Sequence, residues 1–241
     1  AATGSVGATG SIGGDLIASA DGGMTLSNAG KIEGDVIGNS NRSLPTSYSE
    51  TYSSSSSSSP TLVESSNQEI DEYHYKQAGG AASFANAATG QVQGDVSINA
   101  LGDVTVDNKG AVFGSTDARS TGSDSDYKYT YNNSSSTAIA TPPALNVTTS
   151  TNETVYDYAE TATGGNVTGT YSGSNGTLNF VSGDGSITQE ADKASKATVT
   201  GTVYGSLNSY AGSSNSTELS QDKTVTVLDT AGDGTRTITS S

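Results

Sequence analysis

The sequence predicts an all-β protein, a short parallel β-solenoid core interrupted by β-hairpin insertions rich in Tyr, Ser and Thr. Three observations carry that expectation. Residues 88–115 place apolar side chains on every second position, at Val92, Val96, Ile98, Val104, Val106 and Val112, with polar residues mostly between them. That is the period-two pattern of strands with one buried face, and these six form the predicted core. The same stretch occurs, without a gap, 80 residues earlier (88 − 8), so Gly14, Asp15, Asn28 and Gly34 reappear as Gly94, Asp95, Asn108 and Gly114. Inside the first copy, Ile12-x-Gly14-Asp15-Leu16 returns as Ile32-x-Gly34-Asp35-Val36 after 20 residues (32 − 12). Val92-x-Gly94 and Val112-x-Gly114 repeat that step in the second copy (112 − 92 = 20). A fixed short period predicts one coil per repeat, with glycine turning the corners.

Composition fits a thin core. Only 32% of the 241 residues are hydrophobic, Trp is absent and Phe occurs 3 times. Large side chains are too few for a thick globular interior, whereas stacked short strands need little more than Val, Ile and Ala. The 30 glycines do not recur every third residue, which excludes a collagen-like chain. A net charge of −15, from 25 acidic and 10 basic residues, argues against nucleic acid or anionic membrane as partners. Cysteine is absent, so neither disulfides nor thiol chemistry is available. No run of apolar residues is long enough for a transmembrane helix. The opening Ala-Ala-Thr-Gly, without Met, is expected of a processed secretory product or of a fragment cut from a longer chain. A secreted, extracellular or cell-surface location follows from that start and from the Lys-poor, Ser/Thr/Gly-rich composition.

In chain order, residues 1–38 are the first solenoid repeat. In residues 39–83 the pattern breaks into an insertion. Its serine run, 53–59, ends at Pro60 and is too monotonous to pack, so a flexible loop tip is expected there. Residues 84–115 are the second repeat. Asn28 and Asn108 each precede a Gly by two positions, and two roles are open to them: an inside-corner ladder or a left-handed turn. Residues 116–161 form a Tyr-rich insertion or arm, in which Tyr127, Tyr129 and Tyr131 alternate with polar residues, as do Tyr156 and Tyr158. Aromatics at i, i+2 and i+4 put one strand face in register to stack on a partner. Residues 162–205 are a degenerate third repeat, where Asn175-Gly176 reads as a two-residue hairpin turn between Val167–Tyr171 and residues 178–181. Residues 189–197 are the one helix candidate. Residues 206–241 end in two Thr-rich strands, 223–228 and 235–239.

These repeats, G-x-I/V-x-G-D-V with N-x-G between copies, resemble the passenger regions of bacterial autotransporter adhesins and related secreted β-solenoid surface proteins. The resemblance covers about 28 residues in each of two copies and a looser third. It implies an exported parallel β-helix displayed on a cell surface or in an extracellular matrix. The family's C-terminal outer-membrane barrel has no counterpart in this sequence, and the Tyr-rich arms lie outside its usual pattern.

No constellation for catalysis stands out. His74 is the single histidine, so a His-based metal site or a Ser-His-Asp triad has little to draw on. Asp15, Asp35 and Asp95 would form a carboxylate row of the polysaccharide-hydrolase kind if their coils stack, but a position just after a corner Gly suits a turn. No cofactor is required. Ca²⁺ is the one metal considered, at the oxygen-rich loop holding Asp229 and Asp233. Sequons at Asn41, Asn132, Asn146, Asn152 and Asn215 mark potential glycosylation. Self-association is the strongest expectation: open strand edges invite head-to-tail addition of further copies of the chain, with the tyrosine arm reinforcing the contact. The expected function is therefore a non-enzymatic extracellular structural protein forming a filament or surface layer of matrix or biofilm type. The alternatives are a monomeric adhesin fragment that binds cell-surface or matrix components and, behind it, a polysaccharide-active β-helix enzyme.

Overall fold

The structure is a computed structural model that describes residues 1–139, 146–177, 185–212, 214–219, 226–231 and 235–240, the last three segments as backbone. The described residues form strands and turns without a helix. They divide into two compact units. The first comprises Ala1–Ser43, Gln77–Ser123 and Ala162–Ser241; the second comprises Leu44–Lys76 and Asp124–Thr161.

In the first unit the strands come in triplets, one member to each of three sheets. The opening triplet is β1 (Ala2–Val6), β2 (Ser11–Ile12) and β3 (Leu16–Ser19), followed by β4 (Met24–Asn28), β5 (Lys31–Ile32) and β6 (Val36–Ser43). The chain then enters the second unit through β7 (Ser47–Ser58) and β8 (Leu62–Tyr75), and returns along β9 (Gln77–Gly79), antiparallel to the end of β6. Two triplets follow: β10 (Ala82–Asn86), β11 (Gln91–Val92) and β12 (Val96–Ala100), then β13 (Val104–Asn108), β14 (Ala111–Val112) and β15 (Thr116–Ser120). A second excursion, β16 (Ser123–Ala138) and β17 (Val147–Ala162), leaves from the same step of the triplet as the first. The chain continues through β18 (Val167–Tyr171), β19 (Ser174–Asn175), β20 (Ile187–Ala191), β21 (Ala194–Val199), β22 (Thr202–Val203) and β23 (Ser206–Ala211). It ends in β24 (Ser214–Leu219), β25 (Thr226–Ala231) and β26 (Thr235–Ser240).

The sheet orders are β1-β4-β10-β13-β18-β21-β24-β26, β2-β5-β11-β14-β19-β22 and β25-β23-β20-β15-β12-β6-β3, and neighbouring strands on these paths are parallel. The pairing register is the sequence repeat itself. Ile12 lies beside Ile32, Ile32 beside Val92 and Val92 beside Val112, so like residues stack on like. Every second side chain of these strands points inward, and Val92, Val96, Ile98, Val104, Val106 and Val112 are all buried. The buried row is mostly Val, Ile, Leu and Ala, with Tyr171 and Phe84 its largest members.

The Gly-Asp unit has a direct cause. The Asp15 carboxylate accepts the Asp35 N–H at 2.8 Å, Asp35 accepts from Asp95 N–H at 2.8 Å, and Asp95 accepts from Ser115 N–H at 2.7 Å. Each carboxylate thereby lies over the Gly of the next triplet, where a Cβ on Gly34 would fall 2.0 Å from Asp15 Oδ1. The preceding corner is as tight, since a Cβ on Gly110 would sit 2.2 Å from the Gly90 carbonyl oxygen and 2.4 Å from that of Ala87. Gly110→Ala should therefore destabilise the protein by about 1–3 kcal/mol, the usual range for overpacking, read as a lower urea midpoint at unchanged slope.

Several sequence expectations are corrected. Residues 189–191 and 194–197 are strand, not helix: Gln189, Ala191, Ser195, Ala197 and Val199 are buried on alternate positions of β20 and β21. Their Ala, Glu and Lys content favours helix, but parallel neighbours on both sides override it. The serine run is not a loose tip, because residues 53–58 belong to β7 and pair with β8. Ser55 and Ser66 hydroxyls meet across that pair at 2.7 Å. Asn175 does not open a hairpin: it lies in β19 between Val112 and Val203, and both edges of β18 are taken by β13 and β21. Residues 178–181, the expected return strand, lie outside the described residues. The arm also begins later than residue 116, since Thr116–Ser120 is a strand of the third sheet.

Candidate functional site: open strand edges and a tyrosine face

At one pole the three parallel sheets end in β1, β2 and β3, whose outer edges carry no partner strand among the described residues. Ala2 N–H bonds to Gly23 O and Leu16 N–H to Asp35 O, so these residues point their polar groups inward. In a parallel ladder the alternate residues point the other way. Thr3, Ser5, Ile17 and Ser19 therefore aim their N–H and C=O groups off the edge. The hydrophobic row thins at this pole as well: Ile12, Leu16 and Ala18 are only partly buried against the core, where their stacked counterparts Ile32 and Val36 are fully enclosed. At the other pole the described strands of these sheets end in β26, β22 and β25.

The second unit is a four-stranded sheet, β17-β16-β8-β7, with β7 and β16 antiparallel to β8. Tyr48 stands opposite Tyr73, and Tyr73 opposite Tyr127, so their side chains share a face. Their rings touch in sequence, Tyr48–Tyr73 at 4.8 Å and Tyr73–Tyr127 at 6.0 Å, and Tyr156 closes on Tyr127 and Tyr129 at 6.2 and 5.2 Å. Strand alternation puts Tyr52, Tyr75, Tyr131 and Tyr158 on the same face. Of the 12 tyrosines, all but Tyr171, Tyr204 and Tyr210 lie there. The five arm tyrosines singled out in the sequence are thus brought together. Tyr48 and Tyr73 of the first insertion complete the row; the two-residue spacing of Tyr73 and Tyr75, like that of the arm tyrosines, is the sequence signal that would have found them. The arm strands pair with each other, leaving only the outer edges of β7 and β17 unpaired among the described residues.

Carboxylates sit among the rings. Tyr48 Oη donates to Asp71 at 2.9 Å and also reaches Glu50 at 3.3 Å. The hydrogen bond to Asp71 holds the Tyr48 phenol well above its ordinary pKa, and a bond to Glu160 raises that of Tyr158. A raised phenol pKa favours the folded state below the unfolded value of about 10, and that contribution is lost as pH rises through the folded value. In an alkaline titration followed by tyrosinate absorbance, Tyr48→Phe should delete a tyrosine that ionises after the bulk of the others. Oxygen atoms of Glu50, Glu69 and Asp71 come within 4.8 Å of one another, a grouping the sequence reading missed because the three lie on two strands.

Asp229 lies in β25, where its backbone pairs with Ser209, and Asp233 falls outside the described residues. His74 Nδ1 meets Asp126 at 2.6 Å on the sheet face opposite the tyrosines. Asn41 donates to Thr121 O and Asn132 accepts from Gln68, whereas Asn146 and Asn152 are exposed. Asn215 is described as backbone only. The asparagines before Gly form a ladder: Asn28 donates to Asn86, Asn86 to Asn108 and Asn108 to Asn175, at 2.9–3.0 Å. Among the described residues no residue other than Gly has positive φ, so the left-handed alternative for Asn28 and Asn108 does not hold. Comparison with known proteins gives no significant match, whether to a family model, a curated protein or a solved structure.

Proposed function

We propose that this chain is an extracellular structural subunit with a β-solenoid core, which polymerises head-to-tail by strand pairing into a filament or surface layer. The observation that carries the reading is the polarity of the three parallel sheets. All run from an opening strand to a different, last described strand of the same chain, so the two poles differ. Parallel continuation brings the β1–β3 edge of one copy against the opposite edge of the next, where the described strands end in β22, β25 and β26. Such a contact is heterologous and propagates into an open fibre unless its rotation closes a ring. The half-covered Ile12, Leu16 and Ala18 add apolar area that a neighbour would bury. The Lys-poor, Ser/Thr/Gly-rich composition and the resemblance of the repeats to exported surface proteins support the extracellular setting.

Electron microscopy of the purified chain at neutral pH, with and without Ca²⁺, tests the reading. Eight strands in the first sheet, spaced by about 4.8 Å, set an expected axial repeat of about 38 Å per copy. Monomers at every concentration in sedimentation equilibrium overturn it and leave the adhesin reading.

A further inference from the structure

We propose that the tyrosine face of the four-stranded sheet is a docking surface for a basic polypeptide, an extended segment with Arg or Lys at alternate positions. This inference rests on the second unit alone and does not depend on polymerisation.

The surface is aromatic, open and one-signed. Tyr52 and Tyr158 are each 64% exposed, and Tyr156, which touches the rings of Tyr127 and Tyr129, is 63% exposed. Glu50, Glu69 and Asp71 converge on this face, and Glu160 lies beside Tyr158. No lysine or arginine shares it. The only Lys or Arg in β7, β8, β16 and β17 is Lys128, which alternation places on the opposite face, paired to Glu72 at 3.1 Å. Neighbouring carboxylates repel, and a cation laid among them removes that repulsion. The rings add to the attraction, because the negative π-face of Tyr draws ammonium and guanidinium groups. Guanidinium also donates in a planar fork that suits paired carboxylate oxygens.

Spacing favours an extended chain. Tyr127, Tyr129 and Tyr131 repeat every second residue of β16, about 6.7 Å, which is also the separation of same-side residues in a bound strand. A second copy of this chain is a poor occupant. It carries a net charge of −15, and Lys31, Arg42, Lys109, Arg119 and Lys128 are already ion-paired to its own acids. A nucleic acid is repelled. A polysaccharide stacks best on coplanar rings, whereas these are tilted by 37–55° to one another.

The test measures binding of a fluorescent peptide of alternating Arg and Thr to the full chain. The wild-type protein should bind it, more weakly at high salt. The double variants Glu50→Gln/Asp71→Asn and Tyr52→Ser/Tyr158→Ser should each weaken binding by about tenfold or more. Glu153→Gln/Asp157→Asn, on the opposite face, should change it by less than about twofold. Nitration by tetranitromethane supplies a readout without mutation: the peptide should protect Tyr52 and Tyr158 of the wild-type chain. Equal weakening by both carboxylate variants means diffuse charge attraction and overturns the proposal. So does an unaffected tyrosine variant, unprotected tyrosines, or binding of Ca²⁺ or a neutral glucan oligosaccharide in place of the peptide.

Discussion

Thr3→Pro combined with Ile17→Pro should abolish filament formation while leaving the circular dichroism spectrum and the unfolding midpoint close to wild type. Both residues are exposed, and both direct their backbone groups off the open edge of the first triplet. Proline removes an N–H and adds bulk exactly where a neighbouring strand would have to pair, so an edge position tolerates it alone but not in a continued ladder. The bonds that tie the first triplet to the second run through Ala2 and Leu16, which are untouched, and a residue before proline already favours the extended region. The same two changes at Ala2 and Leu16 would strike the chain's own ladder and lower stability as well. Electron microscopy and sedimentation read the first effect; urea unfolding reads the second. Filaments of normal length from the Thr3/Ile17 variant would eliminate head-to-tail strand addition as the assembly contact.

Much of the core was legible because its signal is local. The 20-residue step and the Gly-Asp pairs carry the register, and the structure pairs Ile12, Ile32, Val92 and Val112 as that step requires. What sequence could not settle involves contacts between distant segments or residues with two uses. Asn before Gly serves a left-handed turn or a ladder equally well, and only the pairing of Asn86 with Asn28 on one side and Asn108 on the other decides it. Asn86 escaped notice because four positions, not two, separate it from its Gly90. Serine is polar on both faces of a strand, so residues 53–58 give no periodicity to read. The tyrosine face needs β8 to lie against β16, a pairing across an intervening triplet pair that no local pattern encodes. Residues 189–197 carry good helix formers, and their fate is set by the strands already in place on either side.

Asn86→Ala should be among the most destabilising single substitutions in the chain, at about 2–4 kcal/mol, with Asn86→Asp worse. Asn86 is fully buried, and both ends of its amide are engaged. Its oxygen accepts from Asn28 at 3.0 Å, and its nitrogen donates to Asn108 at 2.9 Å. Truncation empties a close-packed site and strands the Asn108 oxygen, while the Asn28 nitrogen keeps only its contact to the Gln91 carbonyl at 3.2 Å. An orphaned buried acceptor forfeits its hydration without return, which is why the loss exceeds the modest net worth of one hydrogen bond. Aspartate keeps the acceptor but loses the donor to Asn108, and it brings a charge into an interior with no cation beside it. The ladder gives way to Val6 beyond Asn28, so an apolar residue is tolerated at its end and not in its middle. Urea unfolding at neutral pH should therefore rank wild type above Asn86→Ala and Asn86→Ala above Asn86→Asp. Raising the stability of the aspartate variant by lowering the pH, as its carboxyl takes up a proton, would identify the buried charge as the cause. A midpoint for Asn86→Ala equal to wild type would mean that the amide row is ornamental, and that apolar stacking alone sets the register of the three sheets.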